Sequence, residues 1–130
     1  MTTRSSIIRT RFAYRFLRSL RKLNQKEKTN SRRVKYAAYV SMASVVGSKR
    51  VWSRAVLSKI RNRSLNPNLV KKKKKKRRSS EESGFGELRK IVPGGQVMNF
   101  YNLLDETADY INCLTSQVQV MKNILNLLST

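Results

Sequence analysis

The sequence predicts an all-α fold in which basic N-terminal helices precede a two-helix unit that dimerises as a four-helix bundle. Three observations support this fold class. Apolar residues recur at spacings of three and four along most of the chain, as on one face of a helix. Both prolines and three of the five glycines lie between these periodic segments. The charge also divides the chain. Residues 1–78 carry 26 basic side chains and one acidic side chain, whereas residues 79–130 carry three basic and six acidic side chains.

The basic N-terminal region, residues 1–62, is expected to contain three helices. Their predicted ranges are residues 6–25, 31–46 and 48–62. Ser31 is expected to cap the second helix and Gly47 to end it. Three interpretations of this region stay open. It is a small helical unit whose surface is basic, its arginine-rich faces bind nucleic acid, or it is partly disordered because few apolar residues are available per helix.

Residues 63–78 are expected to form a linker that ends in eight consecutive basic residues. Mutual repulsion prevents such a run from folding compactly by itself. Runs of this kind suit import receptors and nucleic-acid phosphates, although a solvated linker is the simpler alternative. The run predicts a nuclear location, an import receptor as a partner, and phosphate contact as a compatible second role. Its residues are Lys71, Lys72, Lys73, Lys74, Lys75, Lys76, Arg77 and Arg78.

Residues 79–130 are expected to form the helix–loop–helix dimerisation domain. Ser79 and Glu82 have the spacing of a capping box, which predicts the start of its first helix. The turn-forming sequence Pro93-Gly94-Gly95 ends that helix. One face of the first helix is apolar and is expected to lie in the dimer interface. It comprises Phe85, Leu88, Ile91 and Val92.

The second helix of this domain is expected to run from about Asn99 to Leu128, a length of roughly 45 Å. Its apolar stripe is too long for the short first helix to cover, so the stripe predicts pairing with a second chain, either another helix–loop–helix protein or a second copy of this chain. The alternative is that the stripe is the core of a monomer. The stripe comprises Leu104, Ala108, Ile111, Leu114, Val118, Met121, Leu125 and Leu128.

The sequence offers little for catalysis. It contains no histidine, one cysteine and no glycine-rich phosphate loop. We interpret Asp105 and Glu106 as surface charges of the second helix, and Cys113 as a small half-buried residue beside the stripe. No enzyme activity, metal or cofactor is therefore expected. Arginines interrupt the N-terminal apolar residues, so neither a signal peptide nor a membrane-spanning segment is expected.

Three C-terminal segments closely resemble plant basic helix–loop–helix transcription factors. They are Glu87–Gly95 (ELRKIVPGG), Leu103–Ile111 (LLDETADYI) and Leu114–Met121 (LTSQVQVM). The family pattern is a helix that ends in the sequence leucine-(isoleucine or valine)-proline. A short loop follows, and then leucine-aspartate-glutamate-alanine leading to tyrosine-isoleucine or tyrosine-valine. Upstream, Trp52–Leu57 (WSRAVL) resembles the atypical ILI-binding, IBH-like members of that family.

The resemblance implies a parallel four-helix bundle whose basic helices enter the DNA major groove. In typical members a glutamate of the basic region accepts hydrogen bonds from base amino groups, and that position falls on Lys74 here. Lysine has donors only, so DNA binding is expected to be weak and non-specific. The atypical group therefore implies a negative regulator that heterodimerises with DNA-binding relatives, blocks their DNA binding, and restrains cell elongation and growth-hormone responses. A sequence-specific DNA-binding factor with a divergent basic region is the main alternative, and a basic RNA-binding protein is another.

Overall fold

The computed structural model describes residues 2–25, 30–65 and 83–129, and within these ranges the chain is helical. The predicted all-α class is therefore confirmed. The basic run Lys71–Arg78 and the capping box of Ser79 and Glu82 lie outside the described residues. The helices are α1 (Thr2–Gln25), α2 (Ser31–Val46), α3 (Val51–Leu65), α4 (Ser83–Ile91) and α5 (Phe100–Ser129).

The ends of α2 and the start of α3 differ in detail from the sequence expectation. Asn30, not Ser31, is the N-cap of α2, because its side chain accepts a hydrogen bond from the Arg33 backbone N–H at 3.0 Å. Gly47 ends α2 as predicted, with a φ of 74°. The helix α3 begins at Val51 because Gly47–Lys49 forms a 3₁₀ turn and Arg50 is extended.

The core lies where α1, α2 and α3 meet α5. From α1 it receives Ile8, Phe12 and Phe16, which are spaced by four residues and share one face of that helix. The Phe12 and Phe16 rings stack with centroids 5.3 Å apart. Other buried residues are Ala38, Met42 and Ala43 of α2, Trp52 of α3, Val92 and Met98 between α4 and α5, and Leu103, Cys113 and Val120 of α5. The N-terminal helices thus share one core with the long C-terminal helix.

The loop between α4 and α5 is held by Arg89 and by two glycines. The Arg89 guanidinium donates to the carbonyls of Gly95, at 2.9 Å, and Met98. Gly94 is left-handed, with a φ of 77°. A Cβ atom on Gly95 would lie 2.7 Å from the Arg89 carbonyl oxygen. The sequence Pro93-Gly94-Gly95 therefore turns the chain as predicted, and Gly95 is required by the close approach of backbone.

We expect Gly95→Ala to destabilise the protein by about 1–3 kcal/mol, because the added methyl group meets backbone that has little freedom to move. Gly86→Ala is the matched control, since a Cβ atom on Gly86 in α4 has nothing within 4 Å. That change should stabilise the protein by up to about 1 kcal/mol. Urea unfolding, followed by circular dichroism, measures the change in the free energy of unfolding for each variant. Equal changes for the two variants would contradict the loop geometry.

No helix in the described ranges is both long and apolar enough to cross a bilayer.

Candidate protein-interaction surface

The long helix α5 presents two different faces. One face docks against the N-terminal helices and is buried, although most of its residues are polar or small. It comprises Leu103, Glu106, Asp109, Cys113, Ser116, Gln117 and Val120. The second face carries the apolar stripe and points away from the core. We call these the docked face and the exposed stripe.

Asp109 is the centre of the polar contacts on the docked face. Its carboxylate accepts a hydrogen bond from the Trp52 indole N–H at 2.8 Å, and both residues are buried. The Trp52 ring also packs against Tyr110, with centroids 5.0 Å apart. A buried indole N–H needs such an acceptor. Trp52 therefore fixes the position of α3 on α5 by both its apolar ring and its polar edge.

Glu106 caps α3 from outside that helix. The first backbone N–H groups of a helix have no partner within it. Glu106 Oε1 accepts a hydrogen bond from the Trp52 backbone N–H, in the first turn of α3, at 2.9 Å. The negative charge also favours the positive end of the helix dipole. A carboxylate on α5 thus replaces the local N-cap that a helix start normally requires.

Two arginines balance the charge of these buried carboxylates. Arg4 of α1 lies 3.1 Å from Asp109, on the opposite carboxylate oxygen from Trp52. Arg50 lies 2.8 Å from Asp105, 3.5 Å from Glu106 and 3.6 Å from Asp109. Burial of Arg50 lowers its pKa, but the hydrogen bond to Asp105 and the three negative charges outweigh this and raise the pKa overall. The contacts join α1, the start of α3 and α5, and we call the six residues Arg4, Arg50, Trp52, Asp105, Glu106 and Asp109 the Asp109 cluster.

The Asp109 cluster corrects two expectations from the sequence. Glu106 is buried rather than a surface charge, because Arg50 and the α3 backbone supply the partners that a buried carboxylate needs. Asp105 is exposed as expected. Cys113 is fully buried rather than half-buried. The signal that could have found the cluster is the Trp52–Leu57 segment, whose tryptophan needed a buried acceptor.

Cys113 provides a probe of docking. Burial and the nearby negative charge of Asp109 raise the pKa of its thiol from 9.0 to about 12. The folded protein therefore favours the neutral thiol, and this contribution to stability is present below pH 9 and is lost as the pH rises towards 12. At pH 8, we expect iodoacetamide to label native Cys113 about a thousandfold more slowly than the urea-unfolded chain. Equal rates would show that α5 is not covered at this position.

The exposed stripe contains most of the predicted dimerisation residues of α5. The large side chains of Leu104, Ile111, Val118, Leu125 and Leu128 are exposed by 42, 54, 50, 64 and 78 %, and Ala108 is exposed as well. Leu114 and Met121 are half-buried, because they lie at the border with the docked face. A row of exposed leucine, isoleucine and valine along one helix is typical of a protein-interaction surface.

The predicted residues of α4 do not all join this surface. Ile91 is 67 % exposed, whereas Phe85 and Leu88 are half-buried and pack against the core. The Phe85 ring meets Phe100 at the start of α5 edge-on, with centroids 4.8 Å apart. Val92 is buried in the chain's own core. In this structure, therefore, Phe85, Leu88 and Val92 hold α4 against the rest of the chain, and of the four predicted residues Ile91 is the exposed one.

The described ranges contain no group of histidine, cysteine, aspartate and glutamate side chains that is suited to hold a metal ion. The buried carboxylates Glu106 and Asp109 are engaged by arginines and by the amide and indole N–H groups of Trp52. These contacts therefore hold α1 and α3 against α5.

Residues 5–64, which include most of α1, all of α2 and most of α3, match the model of the IBH1-like N-terminal domain. The chain is also 30 % identical to the protein named transcription factor IBH1 of japonica rice, over an alignment of 156 positions that covers 90 % of this chain and 77 % of the relative. The chain belongs to the IBH1-like family of atypical plant basic helix–loop–helix proteins. The resemblance seen in the sequence is thereby confirmed.

A second relative, named transcription factor bHLH146, comes from Arabidopsis thaliana. It is 27 % identical over 134 positions, which cover 93 % of this chain and 84 % of the relative. No solved structure matches the chain. Because these family members are named transcription factors, the chain falls in the class of transcriptional regulators.

Proposed function

We propose that this IBH1-like protein is a negative regulator of transcription that acts by heterodimerisation. The observation that carries the proposal is the exposed stripe of α5. The N-terminal helices cover the docked face and leave Leu104, Ile111 and Val118 open. In the proposed complex these side chains pack against the helix–loop–helix unit of a DNA-binding partner, as a four-helix bundle requires.

The basic run is the reason for proposing negative rather than positive regulation. A dimer reads a CANNTG site when both basic arms present acceptors and donors to base edges. Lys74 stands where typical relatives have the glutamate that reads the site, and lysine cannot accept a hydrogen bond. The proposed heterodimer therefore has one competent arm at most. By the same family resemblance we propose a nuclear location, assisted by Lys71–Arg78, and an effect that restrains cell elongation and growth-hormone responses.

The test is a gel-shift titration with a DNA-binding helix–loop–helix partner identified by affinity capture. We expect the purified chain to abolish the partner's shift of a CANNTG duplex when the chain is in molar excess. We expect the chain alone to show no more than about a tenfold preference for CANNTG over scrambled DNA, since phosphate contacts carry no sequence information. A larger preference would support the sequence-specific DNA-binding alternative instead.

A further inference from the structure

A cleft of about 740 Å³ lies between α2, α3, the end of α4 and α5, away from most of the exposed stripe. Trp52 and Tyr110 form part of its apolar wall, and Tyr39 lies on the side of α2. Its size falls in the range of sites that take a small molecule or a few peptide residues. Only Ile91 and Leu114 belong both to this cleft and to the predicted dimer surface.

The cleft is positively charged. Four basic side chains and no acidic side chain line it within the described residues; the basic ones are Arg32, Lys35, Lys59 and Lys90. They come from three helices, and the Lys90 ammonium also lies 3.3 Å from the Glu87 carboxylate, which offsets part of the positive charge on the α4 side. The Lys35 ammonium also lies over the Tyr39 ring, 5.8 Å from its centroid. This arrangement favours an occupant that carries negative charge and apolar groups together.

Gln117 adds a specific requirement. Its side chain is 93 % buried where α5 lines the cleft, and its amide oxygen has no hydrogen-bond donor within the described part of the chain. Buried acceptors are nearly always paired, because an unpaired one is costly. This oxygen exposes less than 1 Å² where it lies, so an N–H or O–H group of an occupant would reach it only when the Gln117 amide turns towards the cleft.

We propose that this cleft binds an acidic peptide segment of a partner protein, whose carboxylates meet the lysine and arginine side chains and whose backbone N–H donates to the Gln117 amide oxygen. A peptide supplies carboxylates, apolar side chains and N–H donors within a few residues. A nucleic-acid backbone supplies negative charge, but its phosphates carry no donor for Gln117. The site is separate in its chemistry from the exposed stripe and goes beyond the proposed heterodimerisation.

The test uses fluorescence anisotropy at 0.15 M salt with the full chain. The probe is an acetylated, fluorescein-labelled peptide of eight residues in which Glu and Leu alternate. We expect Lys35→Glu with Lys59→Glu to weaken binding by at least about tenfold. The matched control is Arg18→Glu with Arg21→Glu, which makes the same charge change on exposed positions of α1. That pair should weaken binding by less than about threefold, through the general field of the protein alone.

A third variant separates recognition from charge. Gln117→Leu approximately keeps the size of the side chain but removes the acceptor. We expect this change to weaken peptide binding by about fivefold or more and to leave the salt dependence of binding unchanged. Circular dichroism checks that each variant is folded. Absent binding, or equal losses from the two charge pairs, would overturn the proposal. The same measurement is made with a labelled twelve-nucleotide thymidine strand. If the Lys35 and Lys59 variant lost affinity for this strand but not for the peptide, the site would bind nucleic acid and the proposal would fail.

Discussion

Replacing Trp52 by alanine is expected to lower the free energy of unfolding by about 3–5 kcal/mol. The change removes a buried ring that packs on Tyr110 and leaves a cavity between α3 and α5. It also removes the indole N–H from Asp109, a buried carboxylate. For a chain of 130 residues, such a loss is a large part of the whole stability. Urea unfolding, followed by circular dichroism at 222 nm, measures it.

Two further variants test the cause of that loss. Trp52→Phe retains an aromatic ring against Tyr110 but loses the hydrogen bond to Asp109. We therefore expect it to lower the free energy of unfolding by about 1–3 kcal/mol relative to the unchanged protein. Tyr14→Ala removes an exposed aromatic side chain from α1 and should cost no more than about 0.5 kcal/mol. If Trp52→Ala were as mild as Tyr14→Ala, α3 would not be docked on α5 in solution.

The helices themselves were largely predictable from the sequence. Their apolar periodicity and the glycine and proline positions predicted α1 and α5 to within a few residues, and α2 with its observed bounds. The start of α3 was placed three residues too early, because a 3₁₀ turn follows Gly47. Local sequence patterns predict these helices because each helix forms among residues that are close together in the chain.

The docking of the N-terminal helices on α5 was not predictable in the same way. The docked face is buried through polar residues such as Glu106 and Asp109, which a hydropathy pattern assigns to the surface. Their partners, Arg50 and Trp52, lie more than 50 positions earlier in the chain. Burial of these carboxylates becomes favourable only when all the partners meet, so no single segment shows it.

This docking bears directly on the exposed stripe. An isolated amphipathic helix is marginal in water and must be ordered when it binds. Here the Asp109 cluster and the buried α1 side chains hold α5 along the docked face while the stripe stays open. In the proposed heterodimer the partner would meet a helix that is already formed, which would reduce the entropic cost of ordering it. Under that proposal the N-terminal helices support recognition by α5 without covering its exposed stripe.

Partner capture should therefore depend on the stripe and not on exposed apolar residues in general. We expect Leu104→Asp with Ile111→Asp to weaken binding of a DNA-binding helix–loop–helix partner by at least about a hundredfold, because charges replace two apolar side chains that the proposed complex would bury. Both side chains are about half exposed in the isolated chain, so its own stability should change by less than about 1 kcal/mol. Isothermal titration calorimetry and urea unfolding measure the two quantities.

Ile7→Asp with Tyr14→Asp is the matched control for this pair. It introduces the same two charges at exposed apolar positions of α1, outside the stripe. We expect the control to bind the partner within about threefold of the unchanged protein, since rim and remote charges mainly alter long-range electrostatics. If the Leu104 and Ile111 variant retained full partner affinity, the stripe would not be the dimer interface. If the control lost affinity equally, α1 would belong to that interface. Partner binding would then depend on the N-terminal helices as well as on the exposed stripe of α5.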